Sequence, residues 1–223
     1  MSDTEEQEPG LTDPNIGARP QQLFGLAMLK KFEDIATVFD IGVFRGTPEL
    51  YTVFTESKFV LVDPIKNDRI HALDPPENSI FVNKALGAQP GSMLLHEMGP
   101  KTGFVERTKL SQGVLRDEYD VEVVTLDSLI EQYAPTGWIG LKIDTEGFEE
   151  QIIKGLNEHA HRISFVICEA SIRKRFIGGY VFSELVAAMH ERGLEFFNII
   201  GKLKRRPTYY DVVFLRRDHP LFD

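Results

Sequence analysis

Residues 38–47 have the sequence Val38-Phe39-Asp40-Ile41-Gly42-Val43-Phe44-Arg45-Gly46-Thr47. The apolar run from Val38 to Ile41 predicts a buried parallel strand, and residues 42–46 predict the tight turn after it. We expect a helix to begin near Thr47 or Pro48, because threonine suits a helix N-cap and proline suits the first helical turn. Glycine lets a backbone approach a ligand closely, and a helix N-terminus offers free N–H groups. The segment therefore predicts a nucleotide-sized pocket.

The spacing of the acid and the two glycines bears on which nucleotide is expected. The segment fits D-x-G-x-x-x-G and does not fit the dinucleotide fingerprint G-x-G-x-x-G. It resembles the first motif of class I S-adenosylmethionine (SAM) methyltransferases, although such a turn is also a common structural connector. SAM has a zwitterionic amino-acid end, so an acid is expected near its ammonium and turn amides near its carboxylate. By this resemblance the cofactor contacts are Asp40, Gly42, Phe44, Arg45 and Gly46.

The composition is that of a soluble globular protein with one core. The chain has 223 residues, of which 42% are hydrophobic and 26% charged. Its formal net charge of −9 argues against a nucleic-acid-binding surface, which is expected to be basic. The one cysteine, Cys168, excludes an internal disulfide and a cysteine zinc cluster. No apolar run approaches the ~20 residues of a membrane span, and no signal peptide is recognisable. We therefore expect a cytoplasmic protein that is not integral to a membrane.

The chain divides into a short tail and one domain. Residues 1–19 are acidic and poor in apolar side chains, which predicts a flexible tail. Residues 20–223 are predicted to form a single domain, and helical periodicity from Pro20 to Phe32 predicts its first helix.

A second strand, Lys58 to Val62, ends in Asp63-Pro64. In a Rossmann-like sheet an acid at this strand tip binds the ribose hydroxyls, and Asp63 follows the glycine turn by about 20 residues, the usual offset. A turn aspartate before proline is the alternative. A third strand, Ser79 to Val82, leads to Ala85 and Leu86, at the edge that reaches the adenine in such folds.

Residues 88–120 are predicted to be an insertion between the third and fourth core strands. Ser92 to Glu97 and Val121 to Leu126 are strand-like, and residues 99–113 are loop-like. Insertions of this kind often carry substrate specificity. His96 lies here, and a lone histidine in a loop is more often exposed than catalytic.

The second informative stretch is residues 138–149, Trp138-Ile-Gly-Leu-Lys-Ile-Asp-Thr-Glu-Gly-Phe-Glu149. Lys142, Asp144 and Glu146 alternate with other residues, so in an extended chain they project to one side. At the carboxyl edge of a parallel sheet they face the crevice where ligands bind. Neighbouring charges would also shift one another's pKa values, which is the usual condition for acid–base catalysis.

With this stretch the chain resembles the FkbM family of SAM-dependent methyltransferases. The matching motifs, in order, are Asp40-Ile-Gly-Val-Phe-Arg-Gly46, Asp63-Pro64, Asn83-Lys-Ala-Leu-Gly87, Thr125-Leu-Asp-Ser-Leu129, Leu141-Lys-Ile-Asp-Thr-Glu-Gly-Phe-Glu149 and Glu169. The family more often has glutamate where this chain has Asp63, and both acids can bind ribose hydroxyls. The resemblance implies a Rossmann-like α/β fold of the class I methyltransferases. Its seven-stranded sheet is mostly parallel, with a C-terminal antiparallel hairpin and helices on both faces.

The family methylates oxygen atoms, often hydroxyls of sugars or of polyketide products. The resemblance therefore implies a SAM-dependent O-methyltransferase acting on a sugar, glycan or natural product. A carboxylate could take the hydroxyl proton, or a divalent metal such as Mg²⁺ could acidify the hydroxyl. The catalytic candidates are Asp144, Glu146 and Lys142, and the metal candidates are Asp144 and Glu169. Alternatively, Glu146 is only a partner of the following helix N-terminus.

Two basic clusters stand out against the negative net charge: Arg173, Lys174 and Arg175, and Lys202, Lys204, Arg205 and Arg206. They could bind a phosphorylated acceptor that is linked to a nucleotide or a lipid. Solvated surface is the alternative explanation. The sequence leaves self-association into a homo-oligomer open.

Three other functions compete with O-methylation. A nicotinamide-dependent oxidoreductase shares the topology, but the chain lacks its glycine fingerprint and a Tyr-x-x-x-Lys dyad. A non-catalytic SAM-binding module would keep the pocket without the chemistry. Methylation of nucleic acid is disfavoured by the net charge and by the lack of a base-flipping motif of the Asn/Asp-Pro-Pro-Tyr type.

Overall fold

The protein is described by a computed structural model that covers residues 29–30, 34–66, 75–200 and 205–223. The predicted tail (1–19), most of the predicted first helix, and Lys202 and Lys204 lie outside these residues. Leu29 and Lys30 are helical, as the periodicity predicts. No helix within the described ranges is long and apolar enough to cross a bilayer.

The described ranges contain the following strands: β1 (Ile35–Ile41), β2 (Lys58–Val62), β3 (Ser79–Val82), β4 (Ala85–Leu86), β5 (Gly91–Glu97), β6 (Asp117–Val124), β7 (Trp138–Ile143), β8 (Ile163–Ser171), β9 (Leu194–Ile200) and β10 (Tyr209–Arg216). After the helical residues Leu29 and Lys30, the α-helices of the described ranges are α1 (Pro48–Val53), α2 (Leu126–Tyr133), α3 (Glu149–Lys154) and α4 (Phe182–Glu191). The start of α1 at Pro48 confirms the expected strand–turn–helix unit.

Seven strands form the main sheet in the order β3-β2-β1-β7-β8-β10-β9. Strands β3, β2, β1, β7 and β8 are parallel, and β10 runs antiparallel to both of its neighbours. The chain builds outward from β1 in one direction and then continues from β7 on the other side. This reversal is the topological switch point at which parallel sheets bind ligands. The fold predicted from the sequence is confirmed, including the C-terminal antiparallel hairpin.

Helices cover both faces of this sheet. Phe39 and Leu141 point to the face covered by α2, α3 and α4. Val38 and Phe165 point to the other face, where they pack with Leu29 and with side chains of α1. Because both faces are covered, the central strands are almost continuously apolar. A polar side chain within them, such as Asp40, therefore needs a specific partner.

A second, smaller sheet has the order β4-β6-β5, with β5 and β6 antiparallel. Residues 88–120 supply β5, the long connection after it and the first half of β6. The predicted strand from Val121 to Leu126 is too long at its end, because Thr125 is the N-cap of α2. Its Oγ1 accepts a hydrogen bond from the Ser128 N–H at 3.3 Å, so Leu126 already belongs to the helix.

Candidate functional site

A pocket of about 260 Å³ lies at the carboxyl ends of β1, β2, β7 and β8. Its volume is close to the lower end of the roughly 300–1,000 Å³ of small-molecule sites. The walls come from the turn after β1, the tip of β2, the segments after β7 and β3, and the start of the β5–β6 connection. It therefore occupies the switch point of the sheet.

Gly42 brings the turn after β1 against the segment after β7. Its φ is +80°, and a Cβ atom at this position would lie 1.9 Å from the carbonyl oxygen of Asp144. The Gly42 N–H donates to the Val62 carbonyl at 2.9 Å, and the Asp144 N–H donates to the Ile41 carbonyl at 2.9 Å. Only glycine allows both the positive φ and this approach. Gly42, Phe44, Arg45 and Gly46 all line the pocket, as predicted.

Asp63 lines the pocket at the tip of β2 and is 3% exposed. Its Oδ2 accepts the Phe44 N–H and its Oδ1 accepts the Ile65 N–H, both at 2.9 Å. Burial raises the pKa of this carboxyl, and the two N–H bonds oppose the shift. Each oxygen of an ionised carboxylate has a further lone pair, so Asp63 can still accept two hydroxyl groups.

Asn83 supports this arrangement from the segment after β3. Its side-chain amide donates to the carbonyls of Asp63 and Ile65 at 2.9 and 2.7 Å. The predicted adenine contacts, Ala85 and Leu86, follow directly, are buried and line the pocket.

Asp40 does not reach the pocket, contrary to the sequence-based expectation that it meets the SAM ammonium. It is fully buried, and its two oxygens accept hydrogen bonds from the Thr47 hydroxyl at 3.2 Å and the Tyr51 hydroxyl at 2.8 Å. The Lys142 ammonium lies 3.8 Å from Asp40 Oδ1. Burial raises the pKa of Asp40, and Lys142 opposes the shift. Asp40 therefore fastens α1 beneath the pocket.

Lys142 and Asp144 form the polar floor beside the turn after β1. The Lys142 ammonium lies 3.3 Å from Asp144 Oδ2, and both residues line the pocket. Burial alone would lower the pKa of Lys142, but the carboxylates of Asp144 and Asp40 raise it. Lys142 is therefore a fixed cation that orients Asp144, whose side chain is 36% exposed.

Glu146 enters the pocket by a different route from the one that alternation predicted. Strand β7 ends at Ile143, and the chain then turns, with φ values of +55° at Glu146 and +103° at Gly147. Within this turn, Glu146 Oε2 lies 2.6 Å from Arg175 Nη2 and 3.2 Å from Arg107 Nη2. Glu146 is thus held by two guanidinium groups.

Arg175 also binds Glu169, at the end of β8. Arg175 Nη1 donates to Glu169 Oε1 at 2.5 Å, so one guanidinium bridges two carboxylates. The planar fork of arginine suits such bidentate pairing. The predicted basic cluster therefore divides: Arg175 is buried in the site, whereas Arg173 and Lys174 are exposed.

Burial and mutual repulsion govern the ionisation of these acids. Burial raises the pKa of Glu146, and Arg107 and Arg175 oppose the shift. Burial, followed by the charges of Asp144 and Glu146, raises the pKa of Glu169 to about 8, although Arg175 pulls in the other direction. The charges of Asp144 and Glu146 thus both act on the ionisation of Glu169.

The predicted metal ligands, Asp144 and Glu169, lie close to Glu146. Asp144, Glu146 and Glu169 each place one oxygen within 4.8 Å of the others, and hard divalent cations prefer such ligands. However, Glu146 and Glu169 already bind guanidinium groups, and Asp144 binds Lys142. The chain's own cations supply the positive charge that a metal would bring, so these residues fit a metal poorly.

Two residues of the site, Arg107 and Glu149, are not assigned a role by the sequence analysis. Arg107, in the β5–β6 connection, carries no motif, and its position becomes meaningful only through its contact with Glu146. Glu149 closes the quoted Lys142–Glu149 motif and is fully buried. Its Oε1 accepts the N–H groups of Thr145 and Gly147 at 3.0 and 3.1 Å, so it fixes the turn that carries Glu146.

His96 lies outside the pocket lining. Its Nδ1 lies 2.5 Å from Glu118 Oε1 across the β5–β6 hairpin. This position favours the non-catalytic interpretation of His96.

The sequence model of the methyltransferase FkbM domain matches residues 41–196. The chain belongs to the FkbM methyltransferase family. The match includes the turn after β1, Asp63, the Lys142–Glu149 motif and Glu169. SAM-dependent methyl transfer is therefore the activity class of this chain, and the nicotinamide alternative is set aside. No curated protein sequence matches the chain significantly.

Solved methyltransferases are similar to this FkbM family member at low sequence identity. Magnesium protoporphyrin IX methyltransferase from Synechocystis, with bound SAM, is 11% identical (88% of this chain, 78% of that chain, TM-score 0.47). A TehB-like SAM-dependent methyltransferase from Corynebacterium glutamicum is 13% identical (86% and 87%, TM-score 0.45). Fibrillarin from Aeropyrum pernix, with natively bound SAM, is 11% identical (86% and 74%, TM-score 0.45). At this similarity, the fold assignment rests on the observed strand order.

Glu149→Ala should destabilise the protein by about 1–3 kcal/mol, because it leaves buried donors of the turn unpaired. Urea unfolding followed by circular dichroism measures the change. Glu150→Ala is the matched control, since Glu150 pairs with side chains of its own helix, Lys154 and Gln151, and holds no turn; this variant should cost about 0.5 kcal/mol. Equal losses in the two variants would contradict the assigned role of Glu149.

Proposed function

We propose that the protein is a SAM-dependent O-methyltransferase that methylates a hydroxyl group of a sugar, glycan or natural product. The observation that carries this proposal is one pocket that combines a nucleoside-binding end, formed by Gly42 to Gly46 and Asp63, with a cluster of three carboxylates. When bound, SAM supplies an electrophilic methyl group. The residues of the chain then have to bind SAM, align the acceptor and accept a proton.

The nucleoside end fits SAM by its chemistry. Asp63 has lone pairs for the two ribose hydroxyls, and its own position is fixed by Phe44, Ile65 and Asn83. Ala85 and Leu86 provide an apolar edge for the adenine. The turn from Gly42 to Gly46 lies where its backbone can approach the amino-acid end of SAM. No pyrophosphate site is needed.

The carboxylate end fits an acceptor hydroxyl. Asp144 lies between the turn after β1 and the other two carboxylates, Glu146 and Glu169. It is the most exposed of the three acids. We assign it as the general base, with Lys142 as the positioning residue that holds it. A base within reach of the hydroxyl contributes typically 10²–10⁴-fold to the rate.

Glu146 and Glu169 are assigned to the acceptor side of the pocket. Arg107 and Arg175 fix Glu146, and Arg175 also fixes Glu169. These two carboxylates are therefore less suited than Asp144 to act as the general base. Their remaining lone pairs can accept hydrogen bonds from neighbouring hydroxyls, which suits a polyhydroxylated acceptor. Alignment of the acceptor with the methyl group is the larger requirement of the reaction.

Isothermal titration with SAM, S-adenosylhomocysteine and NAD(H) tests the cofactor. We expect SAM and its product to bind and NAD(H) not to bind. Asp63→Asn should weaken SAM binding about ten- to hundredfold, because a hydrogen bond to a charged group contributes about 1.5–3 kcal/mol. Asp127→Asn is the control, since Asp127 also accepts backbone N–H bonds, but from residues 157–159 and outside the pocket. Binding of NAD(H) alone would refute the proposal.

Asp144→Asn should lower kcat about 10²–10⁴-fold with little change in SAM affinity, because it removes the base and keeps the shape. The assay measures S-adenosylhomocysteine formation over a panel of hydroxylated sugars. Asp117→Asn, on β6, should retain full activity. A wild-type protein that binds SAM and methylates no hydroxyl compound would instead be the non-catalytic module.

The pH dependence should report the crowded carboxylates. The pKa of Glu169 is raised to about 8, and Glu169 accepts hydroxyl groups on all its lone pairs only when it is deprotonated, so kcat/KM should rise with pH through a limb near 8. An isolated glutamate would place this limb at about 4. Glu169→Gln removes the titrating group and should abolish the limb near 8. A limb near 8 that persists in this variant would contradict its assignment to Glu169.

A further inference from the structure

Three segments next to the pocket are joined to one another, and we call them the basic rim (residues 98–116, 172–181 and 205–208). The Thr108 N–H donates to the Arg175 carbonyl and the Ile177 N–H to the Glu106 carbonyl, both at 2.8 Å. The N–H groups of Ile172 and Arg173 both donate to the Thr208 carbonyl. The rim also contains Gly99 to Phe104, part of the pocket wall. The segment that carries Arg173 and Lys174 is thus joined to the segment that carries Arg205 and Arg206.

The charge of the rim opposes that of the whole chain. Its exposed cations are Lys101, Lys109, Arg116, Arg173, Lys174, Arg205 and Arg206, and its single acid is Glu106. Among the described residues, no carboxylate lies within 4.0 Å of the charged groups of Lys109, Arg173, Lys174, Arg205 or Arg206. Elsewhere, exposed lysines such as Lys66 and Lys154 are paired with acids. A chain of net charge −9 therefore concentrates unpaired positive charge beside its pocket.

Aliphatic side chains project between these cations. The most exposed are Val114 (81%), Ile177 (54%), Leu115 (52%) and Leu110 (46%). All the large apolar side chains exposed on the described part of the rim are aliphatic. Protein interfaces are typically enriched in aromatic anchors and depleted in lysine, so this pattern does not suit a protein partner. Aliphatic tips flanked by lysine and arginine suit the boundary between lipid headgroups and acyl chains.

We propose that the basic rim docks on an anionic lipid bilayer, so that the pocket opens toward the membrane surface. The cations would meet the lipid headgroups, and Val114, Leu115, Leu110 and Ile177 would enter the acyl boundary. In this mode of binding, the described part of the chain lies on the bilayer surface. The docking proposal rests on the rim alone. The further inference that the acceptor is linked to a lipid also rests on the proposed function.

Vesicle co-sedimentation of the full-length protein tests the docking. The vesicles are phosphatidylcholine, with and without about one-third phosphatidylglycerol. We expect binding to the anionic vesicles, weaker binding to the neutral ones, and loss of binding at high salt. The double variant Arg173→Glu/Lys174→Glu should bind at least about tenfold more weakly, since each cation near the surface contributes several-fold to affinity. Lys154→Glu/Arg217→Glu changes the net charge equally outside the rim and should bind like wild type.

The apolar part is tested with Val114→Ser/Leu115→Ser, which should weaken vesicle binding, against Leu94→Ser. Leu94 is 46% exposed on β5 and lies outside the rim. SAM titration of the wild type and of every variant keeps the two proposals separate. A wild-type protein that binds SAM but does not bind the anionic vesicles would overturn the docking proposal and leave the proposed function unaffected. Equal effects of rim and control variants would also overturn it. So would a rim variant that dissociates a wild-type dimer, because the rim would then cover a second copy of the chain.

Discussion

The approach of the β1 turn to the segment after β7 is the constraint on which the site depends. Gly42 has no Cβ, so the Asp144 carbonyl can lie where that atom would be, and the Asp144 N–H can bond to the end of β1. The turn after β1 and Asp144, a catalytic candidate, are therefore joined through backbone atoms. Such a junction is independent of side-chain rotamers, which suits a reaction that needs alignment of two reactants within a few tenths of an ångström.

Charge balance is the second constraint, because the site buries many ionisable groups. Asp40, Asp144, Glu146 and Glu169 are opposed by Lys142, Arg107 and Arg175. A buried charge without a partner costs several kcal/mol, and each of these four acids has one of the three cations within 4.0 Å. The compensation is incomplete at Glu169, where burial, followed by the charges of Asp144 and Glu146, displaces the pKa toward neutral pH.

Local pattern was enough for the fold and for most of the pocket. The strand–turn–helix at Val38 to Pro48, the acid after β2 and the Lys142–Glu149 motif are all encoded in short segments, and the structure places them at one sheet edge. Two positions differ from the expectation for physical reasons: Asp40 is held beneath the pocket by Thr47 and Tyr51, and Glu146 reaches the pocket from a turn that strand alternation cannot describe. Arg107 could not be predicted, since its partner Glu146 lies 39 residues away in the sequence.

The reach of Arg107 into the pocket limits how freely the β5–β6 connection can be exchanged. This connection forms part of the pocket wall, so an engineer would choose it for grafting a new acceptor preference. Yet its arginine helps to neutralise Glu146, which lies in the turn after β7. A transplanted loop without a cation at that position would leave Glu146 with Arg175 alone, which Glu169 already shares. Specificity and the scaffold are thus not separable modules in this enzyme, and a useful graft has to carry its own counter-charge.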